Sequence, residues 1–172
     1  MAEQKSRIWT DIDYARDGRQ VDWLHLPHSV TRSAYGTIAI PAAVVKNGQG
    51  PTALFTAGNH GDEYEGQVAV CNLIRELKPE SIKGRVIMLP AMNLPAALAA
   101  TRVSPIDGGN MNRSFPGSPD GTVTQQIAHY VDSVLFPLAD VFHDLHSGGG
   151  SLAYMVFAST HEGPDAAVNA RG

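Results

Sequence analysis

The sequence predicts an α/β fold in which helices cover a mainly parallel mixed sheet. Two observations carry that prediction. From about residue 36 the apolar pattern alternates in the order strand, helix, strand, helix, strand, which implies right-handed crossovers between parallel strands. Within that series "GRVIMLPAMN", residues 84 to 93, is a continuous apolar run with turn signals at both ends, the mark of a strand buried on both faces.

The elements follow in order. Up to about residue 35, short apolar stretches (Ile8, Trp9; Trp23, Leu24, Leu26) mix with turn residues. Residues 1–35 therefore read as a lead-in of strands or irregular chain, and 36–172 as the α/β domain. "YGTIAIPAAVVKNGQGPTALFTAGNHG" reads as strand, turn, strand, broken at Asn47-Gly48 and Gly50-Pro51. From Glu63 to Lys78, Val68, Val70, Cys71, Leu73, Ile74 and Leu77 recur at helical spacing, and Pro79 closes that helix. "PAALAATR" reads as a short helix. Residues 103 to 121 are packed with Gly, Pro, Asn, Asp and Ser, and a loop of that length in a compact domain is functional or disordered. A second helix is expected over 122 to 136, capped by Asp120 or Thr122. "ADVFHDLHSGGG" then reads as a strand running into glycines, and "LAYMVFAS" as a further strand.

Composition narrows the function classes. A chain of 172 residues with 43% hydrophobic and 17% charged content can bury a real core as one domain. A net charge of −4 without a Lys/Arg-rich block argues against nucleic-acid and polybasic membrane partners. No apolar stretch nears the roughly 20 residues needed to span a bilayer, and the first 20 residues carry no signal-peptide core. The single cysteine, Cys71, excludes an internal disulfide and reads as a small packed residue. A cytoplasmic setting is expected.

The chemistry concentrates at strand ends. His60 and Glu63, in "GNHGDEYEG", follow one strand, and His146 ends another. Ligands bind beyond the carboxyl ends of strands in such sheets, so the three side chains are expected at one edge. Two histidines and a glutamate form a usual zinc set, with a fourth position left for water. His-x-x-Glu alone is a weak signal, because a first-turn glutamate is favoured by the helix dipole in any case. The joint pattern is stronger, since Asp144 lies two residues before His146 on the same side of the strand and is positioned to orient its imidazole. His143 has the opposite parity and is expected on the other face in a core role. His25, His28, His129 and His161 lack partner spacing and read as packing or surface residues.

"GNHGDEYEG", "GGNMNRSFPG" and "DLHSGG" together resemble the succinylglutamate desuccinylase/aspartoacylase family of zinc carboxypeptidase-like amidohydrolases. The likeness runs over residues 36 to 160, and its context is similar to that of deacetylases of N-acetyl-L-2,4-diaminobutyrate in ectoine breakdown. The resemblance implies a zinc-carboxypeptidase-like three-layer sandwich and one Zn2+ held by His60, Glu63 and His146. It implies that Asn112 and Arg113 bind the carboxylate of an N-acyl amino acid, a role suited to a guanidinium fork beside an amide. Arg102 resembles the family's arginine that polarises the scissile carbonyl, although the inserted "SPIDGG" lengthens its separation from Asn112. Its other reading is a helix C-terminal cation.

The implied reaction is removal of an acetyl or other acyl group by amide hydrolysis. The carboxylate base that such a reaction needs does not emerge: Glu162 follows His146, but "THEGPD" carries no base motif. The family resemblance therefore leads to the expectation of an N-terminal portion with its sheet incomplete at the C-terminal side. An exposed edge would then favour self-association. Desuccinylase, aspartoacylase or carboxypeptidase activity, and a non-catalytic zinc- or ligand-binding role, are the alternatives.

Overall fold

A computed structural model of the chain describes residues 5–159. Five strands form one sheet in the order β1-β2-β4-β3-β5: β1 Gly18–Pro27, β2 Thr37–Asn47, β3 Thr52–Ala57, β4 Gly84–Leu89 and β5 Val141–Leu145. The sheet is mixed, as expected, but its four pairings divide evenly. β3 runs parallel to both β4 and β5, whereas β1-β2 and β2-β4 are antiparallel. The expectation of a mainly parallel sheet fails at the first two strands, where β1 pairs with β2 from Gly18↔Lys46 to Pro27↔Thr37.

Period-two alternation sorts the strand residues onto two faces. Ile40 and Val44 of β2, Leu54 of β3, and Ile87 and Leu89 of β4 share one core with Ile127, Val131 and Leu135 and with Ile8 and Ile12 of the lead-in. Ala43, Val45, Ala57 and Met88 turn to the opposite face and meet Val70, Leu73, Ile74 and Leu77. Helices on both faces make three layers.

Helix α1 spans Tyr64–Glu76 and connects β3 to β4, while α2 is the short helix Leu94–Ala99. Helix α3, Val123–Tyr130, starts at a capping box in which Thr122 accepts from the Gln125 backbone N–H and Gln125 accepts from Thr122 N–H. The expected helix over 122 to 136 is not uniform: it continues as a wider π turn over Val131–Leu135 and a 3-10 turn over Phe136–Leu138. Pro137 lies in that last turn, and a proline supplies no N–H to prolong a helix.

Two expectations are corrected at the C-terminal side. Residues 152–159 form no strand, and Met155, Val156 and Phe157 are exposed. A strand needs a partner, and among the described residues none pairs with this segment. His143 does not enter a core. It is exposed and stacks on Phe55 across the β3-β5 pair with ring centroids 5.0 Å apart, because β5 lies at the sheet's edge. His161 and Glu162 lie outside the described residues.

Candidate metal centre

The parallel pair β3-β5 brings the distant parts of the site together. Its last register partners are Ala57 and Leu145, so the chain leaving β3 toward His60 and the chain leaving β5 at His146 emerge side by side. His60 and Glu63 lie in the turn before α1 rather than in the first helical turn. A backbone bond from Glu63 N–H to His60 C=O closes that turn, with Glu63 at the N-cap position of α1. Its side chain makes no cap and faces the histidines instead.

Close backbone packing fixes this turn. Gly61 donates to Thr101 C=O at 2.9 Å. A Cβ on Gly61 would stand 2.0 Å from the Ala96 carbonyl carbon and oxygen, so α2 leaves room only for glycine. Gly58, at φ +66°, lies against Ala91, where the left-handed backbone also favours glycine.

His60, Glu63 and His146 offer ligand atoms that all lie within 4.8 Å of one another. Both imidazoles turn Nδ1 toward the same carboxylate, His60 to Glu63 Oε1 and His146 to Glu63 Oε2, each at 2.7 Å. The far nitrogens are held by other groups: His146 Nε2 lies 2.8 Å from Asp144 Oδ2, and His60 Nε2 lies 3.3 Å from Asn110 Oδ1. Without a cation the Glu63 oxygens are acceptors for Nδ1–H; with a cation between the rings and the carboxylate, Asp144 and Asn110 would take Nε2–H and leave the Nδ1 lone pairs for it. His60 and Glu63 are buried at 2% and 3% exposure. A converging pair of imidazoles and a carboxylate suits zinc, and the expected second partner, Asp144, stands beside His146.

The electrostatics agree with a cation site. The hydrogen bond to Asp144 raises His146 to about 9 despite partial burial, with further support from Glu63, so without a metal the protonated ring bridges the two carboxylates, donating Nδ1–H to Glu63 and Nε2–H to Asp144. Arg102 Nη1 lies 3.3 Å from Glu63 Oε1. It stands beyond the end of α2 with its side chain 59% exposed, so its polar partner is the candidate centre rather than the helix carbonyls. Ser147 N–H donates to Glu63 Oε2 at 3.1 Å. The Ser147 hydroxyl also holds the Glu65 carboxyl below its ordinary range, tying the glycine segment after His146 to α1.

The long loop is held by specific contacts among the described residues. Burial raises the Asp107 carboxyl, but the backbone N–H groups of Thr124 and Gly109 and the Thr124 hydroxyl outweigh it and hold the carboxyl low. That anchor fastens the loop to the start of α3. Asn110 Oδ1 then accepts from Asn112 N–H at 3.1 Å at the entry to a 3-10 turn over Met111–Arg113. Asn112 reaches the site network through Asn59, at 3.2 Å. Arg113 is exposed, and its guanidinium bonds only to the Asn112 carbonyl, at 3.4 Å, among the described residues. The structure thus gathers His60, Glu63, His146, Arg102 and Asn112, while Arg113 makes no contact with the ligand cluster. Thr56, Asn59 and Asn110 were missed as participants. Asn59 and Asn110 sit within the quoted motifs, but only the fold reveals what they touch.

Residues 49–170 match the sequence profile of the succinylglutamate desuccinylase/aspartoacylase catalytic domain. The chain belongs to this family. Over 164 residues it is 52% identical to the N-alpha-acetyl-L-2,4-diaminobutyric acid deacetylase of Halomonas elongata, covering 95% of this chain and 48% of that protein. A succinylglutamate desuccinylase from a Silicibacter species superposes with a TM-score of 0.84 at 50% identity, covering 86% of this chain and 45% of that one. The product-bound ectoine utilization protein EutE from Ruegeria pomeroyi gives 0.83 at 54% identity, covering 84% and 44%. The α/β sandwich expected from the family is therefore the observed fold. The chain spans about half the length of these family relatives.

Proposed function

We propose that this chain provides the metal centre and part of the substrate pocket of an amide hydrolase that removes the acetyl group from N-acetyl-L-2,4-diaminobutyrate. The observation that carries the reading is the convergence of His60 Nδ1, His146 Nδ1 and the Glu63 carboxylate, in a chain 52% identical to a deacetylase of that compound. These three residues would hold one zinc ion per chain, which supplies Lewis-acid polarisation of the amide carbonyl and activation of water.

The remaining roles belong to the chain's own side chains. Arg102, already beside Glu63, stabilises negative charge developing on the carbonyl oxygen. Asn112 and Arg113 bind the substrate carboxylate, the guanidinium supplying a two-pronged donor and the amide a third contact. Asp144 and Asn110 hold the imidazoles so that Nδ1 faces inward. The small-molecule partner, a cytoplasmic setting and self-association along β5 belong to the same proposal. No helix among the described residues is long and apolar enough to cross a membrane.

A second reading rests on the carboxylates nearest the cluster. Glu63 is engaged by both imidazoles, and Asp144 by Thr56, Asn59 and His146, so neither is assigned as general base. A zinc- and ligand-binding unit without turnover fits that arrangement. Elemental analysis of the purified chain tests the shared premise, with about one zinc per chain expected and loss in His60→Ala and His146→Ala. A deacetylase assay on N-acetyl-L-2,4-diaminobutyrate then separates the readings. A folded chain that takes up no zinc overturns both.

A further inference from the structure

Asn59 immediately precedes His60, is 1% exposed, and has a side-chain nitrogen with two partners. Asp144 Oδ2 lies 2.9 Å from that nitrogen, and Asn112 Oδ1 lies 3.2 Å from it. Hydrogen-bond polarity allows one arrangement. An ionised carboxylate only accepts, so Asn59 must turn its NH2 group to Asp144. The same NH2 group faces Asn112, which must answer with its carbonyl oxygen. The NH2 group of Asn112 is thereby directed away from Asn59, on an exposed side chain.

The orientation holds although it leaves the Asn59 oxygen unpaired. That oxygen is buried and has no hydrogen-bond partner among the described residues, which is costly for an amide. Flipping the group would set that oxygen against the Asp144 carboxylate and the Asn112 carbonyl oxygen, which is worse. Asp144 itself is locked, because Thr56, its register partner on β3, donates to Oδ1 at 2.7 Å. His146 Nε2 shares Oδ2 with Asn59. One carboxylate therefore sets the direction of a candidate metal ligand and, through Asn59, the direction of an amide on the loop.

We infer that Asn59 is a positioning residue that carries the polarity of Asp144 to Asn112 and holds the Asn112 amide as an outward hydrogen-bond donor. The group meeting Asn112 in a bound molecule is then an acceptor, a carboxylate or an amide carbonyl. The identity of that molecule rests on the proposed function; the relay itself rests on the chain's own geometry.

The test uses the zinc-loaded chain with N-acetyl-L-2,4-diaminobutyrate as probe. Asn59→Ala is expected to lower zinc affinity less than probe affinity, which, measured by calorimetry at saturating zinc, falls about tenfold, as for one lost hydrogen bond to a charged group. Asn112→Asp, at an exposed position, keeps the oxygen toward Asn59 and replaces the outward donor by an acceptor, so it weakens the probe as well. Unchanged probe affinity in either variant overturns the relay, as does a parallel loss of zinc in Asn59→Ala. Side-chain amide NMR on the unmodified chain gives a separate readout. The Asn59 NH2 protons should resist exchange and shift in Asn112→Ala, while those of Asn112 exchange freely. Free exchange at Asn59 overturns the relay even if the chain binds neither zinc nor probe, a result that would instead remove the proposed function.

Discussion

Glu63 Oε2 and His146 Nδ1 stand 2.7 Å apart although 83 positions separate the two residues in sequence. The other oxygen of the same carboxylate receives His60, so a glutamate from one strand end joins histidines from two. The parallel β3-β5 pairing produces this meeting, because both strands deliver their carboxyl ends to one side of the sheet.

The orientation of His146 depends on Asp144. Asp144→Asn keeps the side chain's size but offers an amide that can present NH2 to Nε2 and disturb the tautomer. Zinc affinity measured by chelator competition is expected to fall about 10- to 100-fold, as for other partners of metal-binding histidines, with the fold intact by circular dichroism. Unchanged affinity would show that Asp144 does not orient the ligand.

Protonation of His146 competes with metal. Its folded pKa is raised from 6.5 to about 9, chiefly by the Asp144 hydrogen bond. In the metal-free chain this ion-paired proton contributes stability that is fully present below the unfolded value and lost as pH rises through about 9. Thermal unfolding of the metal-free chain should therefore show a lower midpoint on the alkaline side of that transition. Zinc on Nδ1 replaces the proton, so its affinity should weaken as the solution is acidified. Imidazole NMR should show a His146 transition near 9 only without zinc.

Gly61→Ala should be severe. The added Cβ would meet the Ala96 carbonyl at 2.0 Å, and overpacking of backbone costs about 1–3 kcal/mol or more. Urea unfolding should show that loss together with weaker zinc binding, because relief requires moving the turn that carries His60 and Glu63. Gly150→Ala is the control, since nothing lies within 4 Å of its Cβ and its φ is not positive. Equal stability of the two variants would refute the packing argument.

Self-association should depend on β5. Val141 and Phe142 are 48% and 41% exposed on this edge strand, and edge strands with apolar side chains pair readily. Sedimentation velocity should show a concentration-dependent oligomer that Val141→Lys reduces. A chain that is monomeric at every concentration would end the edge-pairing proposal.

Local patterns in the sequence made several elements legible. The apolar repeat of α1, the Thr122 cap and the buried run of β4 are set by neighbours along the chain. The segment 152–159 is expected as a strand but forms none, because an apolar run measures only the potential to pair and no described strand accepts it. The even division of parallel and antiparallel pairs was hidden for the same reason, as strand order is a long-range choice.

The site divides along the same line. By itself the sequence singled out the candidate ligands His60, Glu63 and His146 and their location at strand ends, because motifs and turn signals are local. Tertiary structure alone decided that both Nδ1 atoms face Glu63, and that Asn59 and Asn110 link the histidines and Asp144 to Asn112. Arg102 met the cluster while Arg113 did not. Hydrogen-bond direction depends on distances of about 3 Å between groups far apart in sequence, and only strand register and loop packing fix those distances.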